Sequence, residues 1–291
     1  MNIEKTTVQE NGFEGAYYRD SEKNDRAMII NITFGGDSIF VKKLAQWLIE
    51  NKTDALGITI SGSKETGKNQ SEIPLEYIES ALNYLKNKGY SRVGILGLSL
   101  GASMSMLAAS YFSELNPIIS LSGFDTVFEG VNGMGTQYPS GHSSFTYKGQ
   151  EIPFQPFYLT KDGYIKAMKD AKKKYGETYG RMLWDNSLAQ GVNEEALIPV
   201  EKIQGKLYLF GAKTDSCWDT VGAAERIKAK NNNCEVHAYE HGVHFILPEC
   251  VPFINVMSAM AFKDYKTHKA ECKAVRKDVT AQIERILKEW Q

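Results

Sequence analysis

A G-L-S-L-G sequence at residues 97–101 constrains the fold of this chain more than any other feature. It follows the apolar run 93–96 and leads into residues 102–111, a segment of small and apolar residues that predicts a helix. A serine in a sharp strand-to-helix turn takes a strained backbone, so only very small residues fit two positions before and after it. The pattern predicts a turn that exposes the Ser99 hydroxyl. The Leu100 N–H has no partner at the start of the helix, and we expect it to point to where an oxyanion would form on a carbonyl that Ser99 attacks.

Short apolar runs that alternate with amphipathic segments predict a mostly parallel sheet with helices on both faces. The predicted strands are residues 15–19, 27–33, 55–60, 92–98, 117–121, 206–210 and 234–239. Residues 74–88 and 265–290 carry apolar side chains at helical spacing and are predicted to be helices.

Residues 126–200 interrupt this alternation, because they are rich in glycine, aromatic residues and lysine and show no clear strand pattern. A stretch of this length inside a compact domain is typically a lid or a binding element. We therefore predict one α/β domain over residues 1–291, with residues 126–200 as a cap-like insertion over the site. A surface excursion without a role in binding is the alternative.

A serine nucleophile needs a base, and the base needs an acid that fixes its tautomer. His244 is the preferred base, since it follows the last predicted strand and Gly242 permits a tight turn there. Asp215, shortly after the strand 206–210, is the preferred acid. The order serine, aspartate, histidine is that of the α/β-hydrolase fold, which we predict here. The residues left as alternatives are His241 for the base, and Asp219 and Asp125 for the acid.

The second donor of an oxyanion hole is expected in the loop after an early central strand. The run 34–37, Phe-Gly-Gly-Asp, follows the predicted strand 27–33, and glycine lets a backbone approach a substrate closely. We predict Leu100 and Gly36 as the two donors. The same glycines also suit a tight strand-to-helix turn, and the two roles are compatible.

Composition argues against several other function classes. The 34 basic and 35 acidic side chains give a formal net charge of -1, which predicts no nucleic-acid or membrane partner, although a local lysine cluster could meet a phosphorylated ligand. The chain shows no apolar segment of signal-peptide or membrane-span length, which predicts a cytoplasmic protein.

Cofactor and metal signals are weak. Residues 62–69 nearly match a phosphate-binding loop, but Asn69 stands where a serine or threonine must bind Mg²⁺. The four cysteines have no C-x-x-C spacing, and His241-x-x-His244 has no accompanying third ligand. We therefore predict neither a cofactor nor a metal ion.

Blocks spread over residues 27–291 also carry a family resemblance. They are IPLEY at 73–77, GILGLSLGA at 94–102, YKG at 147–149, IP at 152–153, IPVEK at 198–202, Asp215 with Trp218, and His244 with Pro248. In this order they resemble the C-terminal catalytic domain of the acyl-CoA thioesterase and bile acid-CoA:amino acid N-acyltransferase family. The resemblance implies an α/β-hydrolase fold with Ser99 as nucleophile, Asp215 as acid and His244 as base.

The resemblance further implies a serine hydrolase that cleaves an acyl thioester through an acyl-enzyme, with a small-molecule acyl substrate such as acyl-CoA as its partner. Family members that conjugate amino acids commonly carry cysteine at the elbow, so Ser99 favours water as the acceptor. Larger members place a β-sandwich ahead of this domain, which is not expected here because the first central strand begins near Ala27. The alternatives are a carboxylesterase with an unrelated substrate and an N-acyltransferase from acyl-CoA to an amine.

Overall fold

The computed structural model describes residues 1–32, 35–133, 137–177 and 179–290. Its strands, in chain order, are β1 Asn2–Thr6, β2 Glu14–Arg19, β3 Arg26–Asn31, β4 Asp54–Thr59, β5 Ile73–Pro74, β6 Arg92–Leu98, β7 Leu115–Leu121, β8 Glu129–Asn132, β9 Tyr138–Ser143, β10 Phe145–Tyr147, β11 Gln150–Glu151, β12 Leu207–Ala212 and β13 Cys234–Tyr239. Its helices are α1 Val8–Asn11, α2 Ile39–Glu50, α3 Glu76–Asn87, α4 Leu100–Tyr111, α5 Lys161–Tyr175, α6 Arg181–Ala189, α7 Thr220–Lys230, α8 Ile254–Ala261, α9 Lys263–Thr267 and α10 Lys269–Glu289.

Eight strands form one sheet in the order β1-β2-β4-β3-β6-β7-β12-β13. Strand β2 runs antiparallel to β1 and β4, and every pairing from β4 to β13 is parallel. The predicted mostly parallel sheet is therefore confirmed, with all seven predicted strands in it, although Thr33, the predicted end of one strand, lies outside the described residues. Strand β1 was not predicted, because four of its five side chains are exposed at the sheet edge and form no apolar pattern.

Helices cover both faces of this sheet. Along β3, Ile29 points into the core under α3 and α4, whereas Met28 and Ile30 point into the core under α2 and α10, as the two-residue period of a strand requires. Two predicted helix bounds need correction. Pro74 belongs to the short strand β5, which pairs with β10, and the predicted helix 265–290 is divided at His268, whose backbone is not helical.

In the described part of the chain, no helix is both long enough and apolar enough to cross a membrane.

The segment 126–200 contains more regular structure than its sequence indicated. Strands β8 and β9 pair antiparallel, β10 lies between β11 and β5, and helices α5 and α6 follow. The sequence showed no clear strand pattern here, because these strands are two to six residues long and β9 reads Tyr-Pro-Ser-Gly-His-Ser, without alternating apolar residues.

An aromatic cluster fixes the segment 126–200 to the main fold. The ring of Trp184 in α6 lies 4.5 Å from that of Phe128 and 5.2 Å from that of Trp218, both in edge-on contact. Phe124 and Phe157 complete the cluster. Aromatic side chains bury large apolar areas in defined geometries, so this cluster sets the position of the segment relative to the end of the sheet.

Candidate active site

The predicted strand-to-helix turn is present between β6 and α4. Ser99 has φ 60° and ψ -129°, a sparsely populated backbone conformation for a residue with a side chain. A Cβ atom on Gly97 would lie 2.5 Å from Ala102 Cα, and one on Gly101 would lie 2.1 Å from the Asn31 carbonyl oxygen. Only glycine fits these two positions, which explains the spacing seen in the sequence.

Three predicted side chains meet above this turn. The Ser99 hydroxyl lies 2.7 Å from His244 Nε2, and His244 Nδ1 lies 2.8 Å from Asp215 Oδ2. Asp215 follows β12 and His244 follows β13, so parallel strands deliver both residues to the carboxyl edge of the sheet, where β6 ends at the elbow. The side chain of His244 is 6% exposed and that of Asp215 is 0% exposed. A serine, a base and an acid thus form one hydrogen-bonded chain, in which the base and the acid are buried and Ser99 is half-buried beside the cavity.

The alternative base and acids have other partners. His241 Nδ1 lies 3.3 Å from a carboxylate oxygen of Asp264. Asp219 accepts a hydrogen bond from the Gly222 N–H and caps α7. Asp125 forms a two-pronged ion pair with Arg226, with N–O distances of 2.7 and 2.9 Å.

The surroundings of His244 favour its protonated form. Burial is the largest single effect and disfavours a charged imidazole, but the negative charge of Asp215, the neighbouring Cys217 and the hydrogen bonds to both together outweigh it and hold the pKa of His244 well above its ordinary value of 6.5. Trp218 contacts the imidazole edge-on at 5.2 Å, and its indole N–H donates to the Ser122 carbonyl oxygen. Burial raises the pKa of the neighbouring Cys217 thiol, which favours its neutral form.

The two predicted oxyanion donors differ in their surroundings. Leu100 begins α4 and lines the cavity over Ser99, and the N–H of a first helical residue has no partner within the helix. The Gly36 N–H, in contrast, donates to Thr59 Oγ1 at 2.8 Å, and the Gly36 carbonyl accepts from the Tyr18 hydroxyl at 2.9 Å. That occupied amide argues against the role predicted for Gly36.

A cavity of about 190 Å³ opens above Ser99. Its floor contains Ser99, Leu100 and His244. Much of its wall comes from the segment 126–200, including Val131, Ser144, Tyr164, Met168 and Trp184. The segment therefore borders the predicted site, as a cap would, although its role as a lid stays a prediction.

Asp264 in α9 connects the two loops that carry Asp215 and His244. Its Oδ2 accepts hydrogen bonds from Thr214 Oγ1 at 2.8 Å and from the Gly242 N–H at 3.2 Å. Burial would raise the pKa of Asp264, but these hydrogen bonds outweigh it and hold the pKa below its ordinary value. Sequence reasoning missed this residue, because a single aspartate at the start of an amphipathic stretch carries no distinguishing pattern.

Three groups of side chains in the described ranges have possible metal-ligand atoms within 4.8 Å of one another. They are Asp215 with Cys217 and His244, His241 with Asp264 and His268, and Glu72 with His142 and Glu151. Each group contains hydrogen bonds among its own members, and these hydrogen bonds account for the short distances.

Comparison with protein families gives one match. A family model described as BAAT / Acyl-CoA thioester hydrolase C terminal matches residues 73–282. Among curated proteins, the peroxisomal succinyl-coenzyme A thioesterase of Mus musculus is 26% identical over 206 residues, which are 68% of this chain and 44% of that protein. Acyl-coenzyme A amino acid N-acyltransferase 2 of Mus musculus is 20% identical over 258 residues, 86% of this chain and 56% of that protein. The chain thus spans about half the length of these relatives.

Solved structures with the same fold cover nearly the whole chain. The α/β hydrolase GrgF from Penicillium sp. sh18 superposes with a TM-score of 0.58 at 14% identity, over 99% of this chain and 98% of that one. The esterase domain of a Rhodothermus marinus protein superposes with a TM-score of 0.51 at 13% identity, over 98% and 99% of the two chains. These similarities concern the fold alone, and they confirm the predicted α/β-hydrolase fold.

Proposed function

The chain belongs to the BAAT / acyl-CoA thioester hydrolase C-terminal family, and on this premise we propose that it is a serine hydrolase that cleaves acyl thioesters. The observation that carries the proposal is the hydrogen-bond chain from Ser99 through His244 to Asp215, at the floor of a cavity. We further propose that the substrate is a thioester of coenzyme A, which the names of the relatives support. The cytoplasmic location, the single domain and the cap stay predictions from the sequence.

In the proposed acylation step, Ser99 Oγ attacks the thioester carbonyl while His244 Nε2 accepts the hydroxyl proton. Asp215 accepts a hydrogen bond from the Nδ1–H of His244, which fixes the tautomer and stabilises the imidazolium. The Leu100 N–H donates to the oxyanion of the tetrahedral intermediate. When the C–S bond breaks, the imidazolium returns its proton to the departing sulfur, and the acyl group remains on Ser99.

In the proposed deacylation step, His244 removes a proton from a water molecule that attacks the Ser99 ester. The second tetrahedral intermediate uses the same oxyanion donor. When it collapses, the His244 imidazolium returns its proton to Ser99 Oγ, which restores the hydroxyl and releases the carboxylic acid. The cavity volume of about 190 Å³ is below the ~300–1,000 Å³ typical of ligand pockets, which favours a short acyl group.

A panel of acyl-CoA substrates of increasing chain length tests this proposal. We expect thiol release from short acyl-CoAs, detected with a chromogenic disulfide, and a decline in kcat/KM as the acyl chain outgrows the cavity. Simple oxyesters serve as comparison substrates, and added glycine or taurine tests for an amide product. Rapid oxyester cleavage with no thiol release from any acyl-CoA would show a carboxylesterase instead, and an amide product would show a transferase.

The raised pKa of His244 predicts the position of the acid limb of the pH profile. Only neutral His244 can accept the Ser99 proton, so kcat/KM rises with pH as the imidazolium loses its proton. Because the pKa is raised, the midpoint of this rise is expected above 6.5, the ordinary value for histidine. Circular dichroism over the same pH range controls for unfolding, and a midpoint at or below 6.5 contradicts the prediction.

A further inference from the structure

Helix α5 concentrates positive charge beside the cavity. Its sequence, KDGYIKAMKDAKKKY, contains six lysines against two aspartates, a formal charge of +4, whereas the whole chain has a formal charge of -1. One side of the helix faces inward, because Tyr164 and Met168 line the cavity over Ser99. The charge therefore lies on an element that also forms the wall of the proposed site.

Four of these lysines have no partner in the described part of the chain. Lys166, Lys169, Lys172 and Lys173 are exposed, and their side chains form neither a hydrogen bond nor an ion pair there. Lys172 and Lys173 in the last turn complement the helix dipole, as cations near a helix C-terminus commonly do. Lys166 and Lys169 lie in the middle of the helix, where the dipole gives no such reason for a cation.

The end of α5 adds an aromatic surface to these charges. The rings of Tyr175 and Tyr179 stack with their centroids 4.3 Å apart, and both side chains are half-buried. Tyr179 adjoins Gly180, which lines the cavity over Ser99. Partly exposed aromatic faces next to cations are the combination on which proteins stack nucleobases and hold the attached phosphates.

We propose that the exposed lysines of α5 bind the phosphate groups of the coenzyme A moiety, with the Tyr175–Tyr179 pair beside the adenine. This inference rests on the proposed thioesterase function and adds a binding site for its leaving group. Tyr164 in the cavity wall and Lys172 are eight residues apart, which is about 12 Å along the helix at a rise of 1.5 Å per residue and about 80° around its axis at 3.6 residues per turn. An extended pantetheine arm spans a similar distance between a thioester and the diphosphate.

The decisive variant is the triple substitution Lys169→Glu/Lys172→Glu/Lys173→Glu, assayed on two substrates with the same acyl group. We expect the KM for the acyl-CoA to rise by about tenfold, from the loss of three screened charge contacts. The acyl-pantetheine thioester, which lacks the nucleotide, should keep its KM within about twofold, because these lysines do not contact the reacting atoms. The KM of the wild type for acyl-CoA should also rise with salt, more steeply than that of the variant.

A matched control places the same charge change at the other end of the sheet. Lys202 precedes the start of β12. Lys228 and Lys230 lie at the end of α7, which leads from the carboxyl end of β12 back to the start of β13. All three lysines are exposed. The variant Lys202→Glu/Lys228→Glu/Lys230→Glu is expected to leave both KM values unchanged, which separates local binding from a general effect of net charge.

Binding of free coenzyme A, measured by calorimetry, makes the test independent of turnover. Binding that weakens by about tenfold in the α5 variant supports the site. Equal KM changes for both substrates, an unchanged KM for acyl-CoA, or wild-type binding that the α5 variant retains would each overturn the proposed site.

If acyl-pantetheine is cleaved but coenzyme A does not bind, the proposed site is wrong and the proposed thioester hydrolysis is still supported. If coenzyme A binds through α5 but no thioester is cleaved, the proposed function is lost and the site stands.

Discussion

Replacement of Ser99 by alanine is expected to lower kcat for thioester hydrolysis by at least about 10⁴-fold, because loss of a triad serine leaves only the oxyanion donor and substrate binding. The Ser99 hydroxyl contacts His244, and its loss removes no packing from either core. The melting temperature should therefore stay close to that of the wild type. Thiol release from a short acyl-CoA and a thermal melt measure the two quantities.

Ser110→Ala is the matched control for that experiment. Ser110 lies in α4, the helix that follows Ser99, and its hydroxyl donates to the Leu107 carbonyl oxygen away from the cavity. Its kcat should equal that of the wild type. An organophosphonate that forms a covalent bond with activated serines should label the wild type and Ser110→Ala but not Ser99→Ala. Substantial turnover by Ser99→Ala would mean that another group is the nucleophile.

The central sheet was predictable because its parallel strands are buried on both faces. Such strands carry continuous apolar residues, as in Arg26–Asn31 and Asp54–Thr59, and these runs stand out in a sequence. The turn at Ser99 was predictable because the motif requires both glycines: Gly97 by its close approach to Ala102 within the turn, and Gly101 by its close approach to the Asn31 carbonyl of β3. Strand β1 and the strands of the segment 126–200 lack such signals, because much of their surface is exposed or irregular.

The predicted site depends on contacts that no local pattern encodes. The Gly36 N–H donates to Thr59 Oγ1, and Thr59 lies at the end of β4, 23 residues later in the sequence. Asp264 accepts hydrogen bonds from Thr214 and Gly242, which precede it by 50 and 22 residues in the sequence. Spacing and chain order could nominate Asp215, Asp219 and Asp125 as the acid, but the three differ only in where the folded chain places their carboxylates.

Replacement of Asp215 by asparagine is expected to lower kcat by about 10⁴-fold, nearly as much as loss of the serine. An asparagine amide can donate to His244 Nδ1, which places the imidazole proton on Nε2. That tautomer cannot accept the proton of Ser99, so the base is lost even though the side chain keeps its shape. Steady-state kinetics with a short acyl-CoA, together with a thermal melt, separates this effect from unfolding.

The two other aspartates provide the comparison, because each has a structural partner instead of the histidine. Asp219→Asn should keep kcat within about twofold, since asparagine also caps helices and can bind the Gly222 N–H. Asp125→Asn breaks the ion pair with Arg226 and should lower the free energy of unfolding by about 1–3 kcal/mol with little change in kcat. A large loss of kcat in either variant, with Asp215→Asn still active, would transfer the acid role to that residue. The expected pattern, one inactive variant and two active ones, follows from the 2.8 Å contact between Asp215 Oδ2 and His244 Nδ1.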